Sequence, residues 1–140
     1  MYSRGFKKDA LNTLKLFGAL VIITFVISIA ASFLNTNDLD KVYDSVNRLK
    51  TTDLALLGYL LVVRVVAEEI FFRGFLAKKT GAIVSSIVFG VLHASYGSAV
   101  EIIGAIVLGY VLAKAFEWNK NLLPNIFAHF LYNLTVVLIV

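Results

Sequence analysis

Cysteine is absent from this chain, and proline occurs once in 140 residues. Without a thiol the protein cannot form a disulfide, use a cysteine nucleophile or bind zinc through sulfur. The chain also lacks serine-rich and glycine-rich tracts, so it offers no linker between domains. Residues 1–140 are therefore predicted to form a single domain.

Charged residues are scarce as well. They make up 16% of the chain, against about a quarter in soluble domains, while 59% of the residues are hydrophobic. The mean hydropathy is +0.85, and the apolar residues gather into long, nearly uncharged runs, for which lipid is the fitting solvent. The net charge of +4 is concentrated before the first run and in short connections. No basic face with interleaved aromatic residues is present, so nucleic-acid binding is not predicted.

Five segments are long enough to cross a hydrocarbon core of about 30 Å. The first follows a basic flank and resembles a signal peptide, but its apolar run is long for one, so we expect it to be retained. The sequence thus predicts an all-α, polytopic membrane protein in contact with membrane lipids, with about five transmembrane helices in one bundle and residues 53–140 as a four-helix core. The predicted spans cover approximately residues 11–34, 53–77, 81–96, 98–116 and 122–140.

The polar stretch after the first span has a helical pattern of its own. Apolar residues recur at helical spacing over residues 38–50, with acidic residues in the first turn and basic residues in the last. This pattern predicts a short amphipathic helix lying at the membrane interface. A solvated surface helix fits the same pattern.

The distribution of lysine and arginine predicts the orientation in the membrane. If the N-terminus lies inside, the inner side holds far more of these residues than the outer side. The sequence therefore predicts a multi-pass protein of the cell membrane with a cytoplasmic N-terminus and an outer C-terminus. The inner set is Arg4, Lys7, Lys8, Lys15, Lys78, Lys79, Lys114 and Lys120, and the outer set is Lys41, Arg48 and Lys50.

The second predicted span holds four ionisable side chains, Arg64, Glu68, Glu69 and Arg73. An ionised group at the centre of a bilayer costs about 2.5–3.5 kcal/mol on insertion scales, so these groups must face the bundle interior and find partners. Spacing of four residues pairs Arg64 with Glu68, and Glu69 with Arg73. A structural charge network explains such pairs and is the favoured hypothesis for Arg64. Since about 100° of rotation separates the two glutamates, they cannot share one arginine.

Polar groups on three predicted helices fall at a similar depth. For straight helices, Glu68, His93, His129 and Asn133 lie roughly 10–18 Å from the inner face. His129 and Asn133 are four residues apart and project from one helix face. A lone buried histidine is usually structural, whereas this combination at one level predicts a functional site.

These residue types suit the hydrolysis of an amide bond. A glutamate and a histidine can together hold and deprotonate a water molecule. A second histidine and an asparagine amide can donate hydrogen bonds to a developing oxyanion. No serine or threonine stands beside a base in a recognisable pattern.

Three motifs resemble those of the CPBP family of intramembrane proteases, the CAAX-protease and bacteriocin-processing, or Abi, proteins. EEIFFR at residues 68–73 is similar to the E-E-x-x-x-R motif of that family. FGVLH at residues 89–93 is similar to its F-x-x-x-H motif, and HFLYN at residues 129–133 to its H-x-x-x-N motif. The motifs occur in family order on separate apolar helices, and the resemblance covers residues 54–140.

The resemblance implies an intramembrane endopeptidase that hydrolyses a membrane-associated or lipidated polypeptide. It implies no metal and no cofactor, and a site open to the cytosol. Glu68 is implied as the general base and His93 as its partner in activating water, while His129 and Asn133 match positions of the oxyanion pocket.

The remaining motif residues have supporting roles in this family. Glu69 and Arg73 match positions that stabilise the site by charge pairing, and Phe89 matches a packing position. Family members usually carry more helices before the first motif. The wall that gates substrate entry is therefore expected to be either reduced or completed by another subunit. A homo-oligomer is one such expectation. Glu101 is without a role, but it precedes a small-residue stripe by one turn and is expected to face the bundle near the outer surface.

Three other functions remain open on the sequence. The first is a non-catalytic, partner-binding protein of the same family, for instance in bacteriocin immunity or maturation. The second is a metallohydrolase using the two histidines and two glutamates, although no H-E-x-x-H motif is present. The third is an ion or proton translocator. The sequence identifies no particular substrate and does not say whether it is prenylated.

Overall fold

The computed structural model of the protein describes residues 2–34, 38–51 and 53–139, the first three of them by backbone alone. Across these ranges the chain is helical with short connections and forms no strand, so the all-α fold class is confirmed. We number the helices α1 to α6, and a 3₁₀ turn, Leu92–Tyr96, continues α4. The helices are α1 (Tyr2–Phe33), α2 (Leu39–Lys50), α3 (residues 54–80), α4 (residues 82–91), α5 (Ala99–Asn119) and α6 (Leu123–Ile139).

Helix α3 changes its geometry twice along its length. Tyr59–Arg64 and Glu69–Leu76 are π-helical, with hydrogen bonds to the fifth residue along, whereas Val65–Glu68 between them is α-helical. Within the helical stretch Ala77–Val91, Gly81 adopts a φ of 87°, which only glycine adopts without strain. The chain turns at this glycine, and α3 ends there.

Two helices are long and apolar enough to cross a membrane by length and composition, Gly5–Phe33 within α1 and Ala99–Asn119. Only 17% and 33% of their most apolar stretches are buried inside the protein, so neither resembles the enclosed core helix of a soluble domain. Helix α1 exposes a row of large apolar side chains that includes Ile22, Phe25 and Val26. A continuous exposed apolar surface of this kind fits lipid. Leu123–Ile139 is a shorter apolar helix.

The core is divided between two groups of helices. Leu16 and Leu20 of α1 pack with Leu108 and Leu112 of α5 and with Ala128 of α6. A second cluster joins α3, α4 and α5 through Phe72, Phe89 and Ala105. Helix α5 belongs to both clusters and therefore holds the bundle together.

Helices α4 and α5 approach closely because small residues face each other. A Cβ atom on Gly90 would lie 2.2 Å from the Ile106 side chain and 2.9 Å from the Ile102 carbonyl oxygen. A Cβ atom on Gly109 would lie 3.0 Å from the Phe89 ring. Ala105, Gly109 and Ala113, the stripe expected to pack closely, are all buried. This contact fixes the position of the chain segment that carries His93.

Helix α2 is held against the connection before α5. Asp38 accepts hydrogen bonds from the Ser98 hydroxyl, at 3.0 Å, and from the Ala99 N–H, while Lys41 Nζ donates to the Gly97 carbonyl oxygen at 3.0 Å. Burial raises the pKa of Asp38, but the hydrogen bonds from Ala99 and Ser98 outweigh it and hold that pKa below its ordinary value. Val46 of the apolar face is buried.

Candidate functional site

An ion pair on α3 is almost completely buried. Arg73 Nη1 lies 3.1 Å from Glu69 Oε1, and the two side chains are 1% and 0% exposed. The guanidinium lies over the Phe89 ring, with Cζ 4.5 Å from the ring centroid. Arg73 Nη2 also lies 3.5 Å from the Gly109 carbonyl oxygen. The pair expected from the four-residue spacing is therefore present, and it binds α3 to α4 and α5.

Helix α6 approaches the same carboxylate with two side chains. His129 Nδ1 is 2.8 Å from Glu69 Oε1, and Asn125 Nδ2 is 3.3 Å from Glu69 Oε2 and 2.7 Å from the Leu112 carbonyl oxygen. A carboxylate paired with arginine only accepts hydrogen bonds, so the His129 proton lies on Nδ1. The opposite nitrogen, Nε2, is then directed towards the carboxylate of the preceding residue on α3, Glu68.

Glu68 has a different environment from Glu69, although the two are adjacent in the chain. Its Oε1 pairs with Arg64 Nε at 2.7 Å, and its Oε2 lies 3.9 Å from His129 Nε2. The Glu68 side chain is 15% exposed and the Arg64 side chain 40% exposed, in contrast to the closed Glu69 pair. One oxygen of Glu68 is thus directed towards the imidazole and towards open space.

His93 faces the same space from the 3₁₀ turn after α4. Its Nδ1 lies 2.8 Å from the Phe89 carbonyl oxygen, which can only accept, so Nδ1 carries the proton and Nε2 is an acceptor. The ring stacks on Tyr96 at 6.0 Å between centroids and packs against the Phe89 ring at 4.6 Å. These contacts hold the imidazole in one orientation.

Two cavities meet at these residues. A cavity of about 110 Å³ is lined by Glu68, His93 and Asn133, and a cavity of about 440 Å³ by His93, His129 and Asn133. Both have room for water. The structure therefore brings the four residues expected to be catalytic, Glu68, His93, His129 and Asn133, around two cavities that share His93 and Asn133 as lining residues. Glu69 and Arg73 lie behind them, out of contact with it.

Several site features are absent from the sequence-based prediction. Asn125 is completely buried and holds Glu69 in place. Its position four residues before His129 would have placed it on the same helix face. The π-helical geometry of Glu69–Leu76 was also unexpected. The Phe72 carbonyl oxygen there accepts both the Ala77 N–H and the Ser85 hydroxyl, the latter at 2.8 Å.

Metal ligation has no obvious place in this arrangement. In the described part of the chain, no three histidine, aspartate or glutamate side chains are grouped closely enough to hold a metal ion. Glu69, the most enclosed of the converging carboxylates, is already engaged by Arg73, His129 and Asn125. The arrangement instead suits proton transfer and hydrogen bonding around water.

The fold and the site define a helical protein with paired glutamates, two histidines and an asparagine in its interior. Residues 50–135 match the model of the family described as Type II CAAX prenyl endopeptidase Rce1-like. Because this match covers more than half of the chain, the chain belongs to that family, which is a family of proteases. The predicted membership in the CAAX-protease family is confirmed. Family membership and the two long apolar helices together indicate a membrane protein.

A curated relative comes from Mycoplasma capricolum subsp. capricolum and is named as an uncharacterized protein. It is 38% identical over 82 residues, which are 57% of this chain and 24% of the relative. The chain thus spans about a quarter of the length of the curated relative that it matches. No solved structure shows a significant match.

Proposed function

We propose that this protein is an intramembrane endopeptidase that hydrolyses a peptide bond of a membrane-associated or lipidated polypeptide. The observation that supports this proposal most is the convergence of Glu68, His93, His129 and Asn133 on two neighbouring cavities that share lining residues. These residues come from three helical segments that are distant in the sequence. Family membership supports the same reaction class.

In the proposed mechanism Glu68 and His93 activate a water molecule in the smaller cavity. The acceptor nitrogen of His93 and the outer oxygen of Glu68 bind the water, and Glu68 removes its proton. The hydroxide attacks the carbonyl carbon of the peptide bond. When the C–N bond then breaks, Glu68 returns the proton to the leaving amine, and the carboxylic acid is the other product. Arg64 fixes the opposite oxygen of Glu68, at 2.7 Å, and so orients the carboxylate.

His129 and Asn133 stabilise the oxyanion that forms. The Asn133 amide donates from one side, and His129 Nε2 donates when the ring carries a proton on both nitrogens. Glu69 holds His129 through Nδ1, and Arg73 and Asn125 hold Glu69. These groups position the histidine, and they do not touch the substrate.

We further propose five membrane spans, with α2 at the interface and the N-terminus in the cytoplasm. Helix α2 forms a wall of both cavities, through Val42 in each. In this orientation α2 lies at the outer face, so substrate entering through the cavities comes from that side. The sequence predicts a cytoplasmic N-terminus, and the family resemblance implies a site open to the cytosol. If substrate enters through these cavities, the two expectations cannot both hold.

The absence of cysteine makes the orientation testable by single-cysteine labelling. Asp44→Cys on α2 and Lys79→Cys at the end of α3 place thiols at exposed positions. A membrane-impermeant maleimide added to intact cells is expected to label Asp44→Cys and to leave Lys79→Cys unlabelled. The reverse pattern would place the cavities and the site on the cytosolic side.

The proposed activity is tested by comparing the membrane proteomes of cells that carry wild type or Glu68→Gln. Uncleaved precursors are expected to accumulate with Glu68→Gln. Glu117→Gln is the matched control, because Glu117 pairs with Lys114 away from both cavities, and it should behave as wild type. Identical proteomes for wild type and Glu68→Gln would refute the proposal.

A second candidate is a non-catalytic, partner-binding protein of the same family. It draws support from the Arg64–Glu68 ion pair, which engages one oxygen of the proposed base. Under this hypothesis the biological effect of the protein, such as immunity to a bacteriocin, survives Glu68→Gln. The endopeptidase hypothesis predicts that the effect is lost.

A further inference from the structure

Glu101 lines the space around the site, yet the proposed hydrolysis does not use it. Its side chain borders both cavities, beside His93, Tyr132 and Asn133. The other three glutamates of the chain pair with Arg64, Arg73 and Lys114. The Glu101 carboxyl forms no hydrogen bond or ion pair with the residues that the structure describes. It is therefore available to a group that enters the cavity.

Among the residues that the structure describes, no lysine or arginine lines the larger cavity to balance this carboxyl. Its ionisable lining residues are Asp40, Tyr43, His93, Glu101, His129 and Tyr132. In the smaller cavity Arg64 is already paired with Glu68. The acidic group of this space that has no basic partner is thus the Glu101 carboxyl, and it gives the space a negative charge when it is ionised.

The rest of the larger cavity is mostly apolar, with Leu20, Leu108 and Val136 in its walls. Apolar walls lower the local dielectric, so a carboxylate there attracts a cation more strongly than it would in water. They also accommodate the aliphatic part of a long basic side chain while its head group binds the carboxylate. An incoming carboxylate would be repelled.

We propose that Glu101 determines substrate specificity by binding a lysine or arginine side chain of the polypeptide, close to the bond that is cleaved. The proposal rests on the proposed function to the extent that the cavity must admit a polypeptide. It goes beyond that function in naming a charge that the substrate carries. Glu101 thus distinguishes a basic substrate from a neutral or acidic one.

The first test measures binding without hydrolysis. Protein carrying His93→Gln, which is expected to be inactive and keeps the Arg64–Glu68 pair, is reconstituted in nanodiscs and titrated with leucine-rich and alanine-rich peptides of about 20 residues, long enough to span a bilayer. Each peptide carries one lysine, scanned along its length, and is matched by peptides with norleucine or glutamate at the same position. At the preferred position the lysine peptide should bind about tenfold or more tightly than the norleucine peptide, as a charge-assisted hydrogen bond predicts.

Substitutions at Glu101 then identify the group responsible. Adding Glu101→Gln should abolish the preference for lysine, and adding Glu101→Lys should shift it towards the glutamate peptide. Adding Glu117→Gln, which alters a paired glutamate on the same helix, should leave the preference intact. Equal binding of all three peptide sets, no binding of any peptide, or a lysine preference that survives Glu101→Gln would overturn the proposal.

Cleavage of the same peptides by the wild type separates this proposal from the proposed function. Cleavage of every set at equal rates contradicts the role of Glu101 but supports the endopeptidase. A lysine preference in binding without cleavage of any peptide contradicts the endopeptidase for these peptides and supports the role of Glu101. Faster cleavage of the lysine set, lost in Glu101→Gln, supports both.

Discussion

Two glutamate–arginine pairs lie within ten residues on α3, and their surroundings are opposite. In the pair of Glu69 and Arg73, both side chains are 1% exposed or less, and two side chains of α6 donate further hydrogen bonds to the carboxylate. In the pair of Arg64 and Glu68, the side chains are 40% and 15% exposed and border a cavity. The closed pair holds helices together, and the open pair leaves a carboxylate oxygen for chemistry. Neighbouring, identical residues thus have different surroundings, and the roles proposed for them differ accordingly.

The largest expected effect concerns the open side of this comparison. His93→Gln removes the acceptor nitrogen proposed to bind water, and loss of a general acid–base partner typically slows a reaction by about 10²–10⁴-fold. Cleavage of an identified precursor by purified protein measures the effect, with circular dichroism as the control for folding. An unchanged rate would remove His93 from the mechanism.

The closed pair is expected to dominate stability. Arg73→Met leaves Glu69 buried without its cation, which should lower the free energy of unfolding by about 3–5 kcal/mol. Arg64→Met is the matched control, because a half-buried pair that borders a cavity should contribute less than the closed pair. Denaturant titration in detergent measures both variants. Equal losses would show that the two pairs do not differ as proposed.

The double variant Glu69→Leu with Arg73→Met sharpens this test. Apolar residues of similar size in place of a buried ion pair often restore stability, because no uncompensated charge remains. We expect the double variant to be more stable than Arg73→Met but to lose activity, since His129 then lacks the acceptor for Nδ1. Retained activity would show that Glu69 does not position the histidine.

A smaller effect is expected where α4 and α5 pack behind the site. Gly90→Ala forces a methyl group against Ile106 and the Ile102 carbonyl oxygen, and overpacking of this kind typically costs about 1–3 kcal/mol. Gly18→Ala on α1 meets no atom within 4 Å and should be neutral or stabilising. Thermal unfolding measures the melting temperatures of both variants. Equal melting temperatures would contradict the close approach of α4 and α5.

The smallest effect concerns the attachment of α2. Asp38→Asn weakens the hydrogen bonds to Ser98 and Ala99 and should cost about 1 kcal/mol. Because the folded pKa of Asp38 lies below its ordinary value, this contribution is complete above about pH 3.9 and is lost as the pH falls through the folded pKa. Limited proteolysis of α2 should therefore accelerate at neutral pH in Asp38→Asn, and only in acid in the wild type.

Much of the helical architecture can be predicted from local sequence patterns. The apolar runs, the basic flanks and the helical spacing over residues 38–50 are each readable within one segment. The four-residue spacing also predicts both ion pairs on α3. These features follow from residues close in sequence, and so the sequence is enough to predict them.

Features that depend on contacts between helices could not be derived in this way. Spacing alone does not show which glutamate faces the cavity, because the answer depends on where α6 places Asn125 and His129. In the second π-helical segment the Phe72 carbonyl oxygen accepts a hydrogen bond from the Ser85 hydroxyl of α4, a contact between helices that local spacing does not show. The sequence likewise does not show that the Glu101 carboxyl lacks a partner, because the cavity that it lines is formed by several helices.

The proposed difference in role between the two adjacent glutamates is tested most directly by two isosteric variants measured side by side. For Glu68→Gln and Glu69→Gln, the cleavage rate of an identified precursor and the free energy of unfolding are determined on the same preparations. Glu68→Gln should lose cleavage and unfold like the wild type, whereas Glu69→Gln should be clearly destabilised. Full cleavage by Glu68→Gln, or an equal loss of stability in both variants, would contradict the account.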